Sequence, residues 1–247
     1  VIKKYILAFI LLIAATHQLS ADAGDFKKII EDYLSVITIK ASITQHIYPE
    51  DGSAEVFSGH YYAASKGLIR IDYLRPERQT VVVNDTGLFW YYNDRKLLFH
   101  SDKKSADAGS IPVLMNIIPV DQIKDIVVVF EGMKFYSLFK TADVYSVTSK
   151  KNKTKMVLWV DPLLKIMKRK YILDESGREI IKEEYSDHAE INGIYIPSRI
   201  ELKARTLNGI VHTVTEYSSI AINGVIDKEL FRFKVKPDMK VKILNVR

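Results

Sequence analysis

Residues 56–100 read VFSGHYYAASKGLIRIDYLRPERQTVVVNDTGLFWYYNDRKLLFH. Short runs rich in β-branched and aromatic residues alternate here with clusters that favour turns. The runs Val56 to Ala63, Leu68 to Tyr73, Gln79 to Asn84, Leu88 to Tyr92 and Lys96 to His100 predict five successive strands. Their separators, Ser65-Lys66-Gly67, Arg75-Pro76-Glu77, Asp85-Thr86-Gly87 and Asn93-Asp94-Arg95, carry residues that preset or tolerate turn dihedrals. Spacers this short join antiparallel neighbours, because a parallel crossover needs a dozen residues or more.

Upstream, Phe26, Ile29, Ile30, Tyr33, Leu34 and Ile37 follow the i, i+3, i+4, i+7 spacing of one helical face. The period then falls to two: Ile37, Ile39, Ala41, Ile43 and Ile47 lie on one side of a strand. Downstream, Ser101 to Ser110 interrupts the meander, and Ile111 to Pro119 with Asp121 to Ile126 predicts two short helices. Pro112 suits a first helical turn, Pro119 a stop and Asp121 a cap. From Val144 strands resume, with Tyr145 to Ser149, Lys155 to Val160, Ile166 to Leu173, Ile180 to Ala189, Pro197 to Thr206 and Ile210 to Ile222. Asn192-Gly193, Asn208-Gly209 and Asn223-Gly224 supply hairpin signals between or after them. A last strand is expected at Phe231 to Val235, before a basic, solvated tail running to Arg247. The whole predicts a mainly β chain, a curved meander of about a dozen antiparallel strands with an N-terminal helix and one helical insertion.

The first residues have another character. Val1-Ile2-Lys3-Lys4, the apolar run Tyr5 to Ala15 and the exit Ala21-Asp22-Ala23 form a basic, apolar and small-residue series. Residues 1–23 are therefore expected to be a cleaved signal peptide, cut after Ala23 or after Ala21, leaving 24–247 as a single exported domain. The apolar run is shorter than the roughly 20 residues of a spanning helix. Its removal takes the formal charge from +6 to +5. Cysteine is absent, which excludes thiol catalysis, Cys-ligated zinc and iron–sulfur clusters. His46, His60, His100, His188 and His212 form no local metal-ligand pair, and no nucleophile elbow, phosphate loop or dinucleotide fingerprint occurs. The composition thus points to no cofactor, no nucleic acid and no enzyme. The loaded apolar faces fit either a filled core or a cavity for acyl chains.

A resemblance favours the cavity. Ala41-Ser42-Ile43-Thr44-Gln45, Phe57-Ser58-Gly59-His60-Tyr61-Tyr62, Gly67 to Tyr73 with Pro76, Val83-Asn84-Asp85 and Trp90-Tyr91-Tyr92-Asn93 resemble, in order and spacing, the N-terminal half of periplasmic outer-membrane lipoprotein carriers of the LolA type. Phe231 to Val235 with Pro237 to Val241 resembles that family's closing strand and turn, and Asn192 to Pro197 resembles broader lipoprotein-sorting relatives. The resemblance implies an unclosed β-barrel under a helical lid, with a hydrophobic cavity that carries lipoprotein acyl chains between membranes without catalysis. It implies a periplasmic monomer that takes cargo from an inner-membrane ATP-driven transporter and passes it to an outer-membrane acceptor. Carried over by position, it places Ile69 and Ile71 on the lipid-binding concave face with Tyr61, Val81, Val83 and Trp90, and Leu114, Ile117 and Ile118 in the lid. Where the family has Arg-Pro before the turn glycine, this chain has Ser65-Lys66, so contact with the lid falls to a hydroxyl or a point charge. A lipid- or lipoprotein-sensing regulator with the same half-barrel, and an exported β-domain with a dry core, are the competing readings.

Overall fold

The structure is a computed structural model that describes residues 23–50, 52–102, 126–149, 155–206 and 209–243. Helix α1 (Ala23–Leu34) precedes β1 (Thr38–Tyr48). The expected meander follows as β2 (Glu55–Ala64), β3 (Leu68–Arg75), β4 (Gln79–Asn84), β5 (Gly87–Tyr92) and β6 (Leu97–Asp102). A second series comprises β7 (Ile126–Ser137), β8 (Lys140–Ser149), β9 (Lys155–Val160), β10 (Met167–Leu173), β11 (Glu179–Ile191), β12 (Ile194–Thr206) and β13 (Gly209–Ile222), with β14 (Lys240–Ile243) last. All fourteen form one curved sheet in the order β14-β6-β5-β4-β3-β2-β1-β13-β12-β11-β10-β9-β8-β7. The two series join where β1 pairs antiparallel with β13, Ile43 opposite Tyr217 and Ile47 opposite Thr213. Strands β14 and β7 are left as edges, so the barrel is unclosed, as the resemblance implies.

Three expectations need correction. Strands resume at Ile126 rather than Val144, as the hairpin β7–β8. Its turn is Leu138-Phe139, with none of the residues that mark turns, and Ile126 to Phe130 is apolar without alternation. Phe231 to Val235 is not a strand: a 3-10 turn covers Lys228–Phe231, and the chain then crosses the sheet without a ladder. Two of its alternating apolar residues are satisfied by packing, with Phe231 buried and the Phe233 ring stacked 5.2 Å from Phe89, while Val235 is exposed. Lastly, β14 runs parallel to β6, Lys240 opposite Leu97. The expected helices from Ile111 to Ile126 lie outside the described residues up to 125, and Ile126 opens β7.

Pleating assigns the faces. Ala41 pairs with Tyr61, Tyr61 with Ile71, Ile71 with Val81 and Val81 with Trp90, so these side chains share the concave side. Helix α1 lies there. Phe26, Ile29 and Ile30 are buried in one cluster with Ile39, Ile43, Ile69, Tyr145, Leu158 and Met167. The Phe26 and Tyr145 rings stand 5.1 Å apart. Burying three such side chains contributes about 5–9 kcal/mol before ordering costs, so the helix acts as a plug for most of the trough. On the convex side Val82, Phe89 and Leu98 form a second cluster under Phe233 and Met239.

Candidate functional site

The concave face retains a cavity of about 200 Å³ towards the end of the trough where β1 runs out and β4 begins. Ile47 of β1, Phe57 of β2, Ile71 and Tyr73 of β3, Val81 of β4 and Leu88 and Trp90 of β5 form its apolar walls, and Val211 and Thr213 of β13 close it from the far side. Strand alternation aims these residues at one space, because each is two positions from the next along its strand or opposite it across a ladder. Trp90 stands partly exposed at the mouth, while Ile71 and Val81 are buried.

Two amides interrupt this apolar wall. Gln45 and Gln79 are each 4% exposed. Tyr73 Oη donates to Gln45 Oε1 at 2.6 Å, and Trp90 Nε1 donates to Gln79 Oε1 at 2.7 Å. Burial raises the Tyr73 pKa far above the ordinary phenol value, which keeps its proton in place for this bond.

Of the residues named from the sequence, Ile71, Val81 and Trp90 come together around the cavity. Tyr61 and Ile69 share their face but are spent in the packed cluster with α1, and Val83 lies partly buried against it. Ser65 and Lys66 sit in a 3-10 turn, Ser65–Gly67, where the Ser65 backbone N–H donates to Ile37 O, tying the turn to the link between α1 and β1. Leu114, Ile117 and Ile118 lie outside the described residues. Gln45, Ile47, Phe57, Tyr73, Gln79, Leu88, Val211 and Thr213 are the wall residues that site reasoning missed. For Gln45 a signal existed: it occupies the apolar phase between Ile43 and Ile47, where a polar residue needs a reason.

Other polar residues of the family-like stretch have a different task. Arg70 holds Asp72 through two bonds, Nε to Oδ2 at 2.7 Å and Nη2 to Oδ1 at 2.9 Å, and Arg70 Nη1 donates to Leu230 O at 3.0 Å. Asn84 Nδ2 donates to Phe231 O at 2.9 Å. This clamp fixes the C-terminal segment on the convex face, away from the cavity. Elsewhere on the concave side, Lys170 pairs with Glu183 at 2.8 Å and Tyr185 Oη donates to the same carboxylate. The Tyr217 hydroxyl, packed edge-on to Tyr61, is buried without a hydrogen-bond partner among the described residues.

A second cavity, about 300 Å³, opens at the other end of the trough between the C-terminus of α1 and the β9–β10 and β11–β12 turns. Asp32, Lys165 and Tyr195 line it beside Leu163 and Leu164, and Tyr33 is pushed up to about 12 by burial. Among the described residues no group of three His, Asp or Glu side chains is placed to hold a metal ion.

An open β half-barrel with a helix in its trough and an apolar cavity beside that helix is the class these features define. No family model matches the chain, and no curated protein matches it in sequence. Solved structures do match. A DUF1329 family protein from Desulfovibrio piger aligns with a TM-score of 0.64 and 15% identity over 85% of this chain and 96% of its own. A LolA superfamily protein from Nitrosomonas europaea aligns at 0.60 and 14% over 83% and 97%. An outer membrane lipoprotein-sorting protein domain from Vibrio parahaemolyticus aligns at 0.60 and 8% over 83% and 94%. The chain therefore has the fold of LolA-type lipoprotein-sorting proteins.

Proposed function

We propose that the protein is a non-catalytic periplasmic carrier that shields acyl chains of lipoproteins while they pass from the inner to the outer membrane. The observation that supports this most is the apolar cavity on the concave face of a LolA-type half-barrel. Its volume, about 200 Å³, exceeds by little the ~150 Å³ engineered cavity that binds benzene. A whole acyl chain needs more room, and α1 is the element positioned to yield it. A chain of about 14 methylenes gains about 11 kcal/mol on burial, which offsets the about 5–9 kcal/mol lost when Phe26, Ile29 and Ile30 leave the trough. Exchange of helix for lipid then favours lipid by only about 2–6 kcal/mol, far less than the full gain on burial, which helps loading to be reversed.

A second reading, a lipid-sensing regulator, draws on the exposed turns. The pairings Asp143 with Val160 and Val160 with Met167 bring the β7–β8 and β9–β10 turns to one end of the sheet. There Leu138, Phe139 and Leu163 are each more than 80% exposed, a surface suited to a fixed partner.

Native mass spectrometry of the protein co-expressed with an acylated periplasmic lipoprotein separates the two. A carrier yields a one-to-one complex that disappears when the cargo's lipidated cysteine is replaced. A complex indifferent to cargo acylation contradicts the carrier reading.

A further inference from the structure

The cavity's two buried glutamines restrict what it accepts. Trp90 Nε1 can only donate, so the Gln79 atom facing it is the carbonyl oxygen, and the amide nitrogen is turned the other way. Gln45 Oε1 accepts from Tyr73 Oη, but a hydroxyl can accept as well as donate, so this bond does not by itself orient the Gln45 amide as the indole orients Gln79. Both side chains are more than nine-tenths buried and both line the cavity. Neither Nε2 has a hydrogen-bond partner among the described residues. The space therefore presents the Gln79 amide donor, with Gln45 as a second amide, inside otherwise apolar walls.

From this arrangement we infer that the cavity is a subsite for an uncharged acyl carbonyl, an ester in particular, which accepts from Gln79 Nε2 while the adjoining methylenes lie on Ile71, Val81 and Leu88. This rests on the acyl-carrier reading and adds to it the part of the cargo that is recognised. A buried donor left without an acceptor is costly, so the site discriminates against ligands with no carbonyl. It also discriminates against an ionised carboxylate, because among the described residues no Lys, Arg or His lines the cavity and a buried anion without a cation is strongly disfavoured. The same acyl carbonyl could arrive as a free fatty acid or as a glyceryl ester, and charge distinguishes the two.

The test uses purified protein and competition against a fluorescent acyl probe at pH 8, with methyl decanoate, decanoate and undecane as competitors. Methyl decanoate should compete at least about fivefold more strongly than either of the others. In Gln79→Met the advantage of the ester over undecane should fall by about five- to tenfold, because the ester loses its donor and undecane no longer leaves one unmet. Gln79→Glu, which keeps an acceptor for Trp90, should lose the ester preference as well and guards against a variant that fails to fold. Equal competition by ester and hydrocarbon in the unmodified protein, or an ester preference that survives both substitutions, overturns the inference and leaves the acyl reading standing. Preferred binding of decanoate overturns the uncharged-ester assignment. No displacement by any of the three, with no binding of the probe itself, removes the acyl reading too.

Discussion

Gly59 stands where β2 and β3 approach most closely. A Cβ there would lie 2.0 Å from Asp72 O and 2.8 Å from Tyr73 Cα, both backbone atoms that cannot swing aside. The β2–β3 register also shifts between Ser58 and Gly59. Gly59→Ala should therefore destabilise the fold by about 3 kcal/mol, seen as a lower urea midpoint at an unchanged slope. His188 gives a pH effect. Burial, helped by the Lys168 charge, lowers its pKa from 6.5 to about 4, against opposing contributions from the Met167 carbonyl, Asp187 and Asp161. The unfolded chain binds this proton near 6.5 and the folded one only near 4, so this contribution is complete above pH 6.5 and is lost as pH falls towards 4. For a half-buried ring the effect is about 2 kcal/mol after solvent screening. The difference in stability between pH 7 and pH 4 should shrink by that amount in His188→Gln.

Helix α1 is the element on which the trough's contents depend. Phe26→Ala should cost about 3–5 kcal/mol in stability and enlarge the space beside Tyr145, so that longer acyl chains compete better against a probe than they do in the unmodified protein. A loss of stability with no gain in chain length would show that α1 is ordinary core. Elements with strong local punctuation were legible before the structure: β4 and β9 have the expected bounds, and Asn192 and Gly193 both adopt positive φ in their hairpin turn. The β7–β8 hairpin was not, since a turn of Leu and Phe beside an unalternating apolar run sends no signal. Phe231 to Val235 misled because period two reports only that alternate residues are buried. Here the packing partners are Phe89 and the partly buried Tyr91, across a face rather than on a neighbouring strand.

At the scale of the molecule, the half-barrel could be read from short spacers and alternating faces, and three of the eleven described wall residues, Ile71, Val81 and Trp90, came with it. Val211 and Thr213 could not, because they reach the cavity only through the β1–β13 junction, which joins residues more than 160 positions apart. That junction makes the trough, and the central claim is that the trough receives an acyl chain. The chain's two tryptophans test this directly, since Trp90 lines the cavity while Trp159, alternating with buried Leu158 and Val160, faces the other side of the sheet beside Arg169. Titration with a brominated acyl ester should quench the fluorescence of Trp159→Phe, which retains Trp90, and leave that of Trp90→Phe unchanged. Equal quenching of both tryptophans, or none at Trp90, would contradict the account.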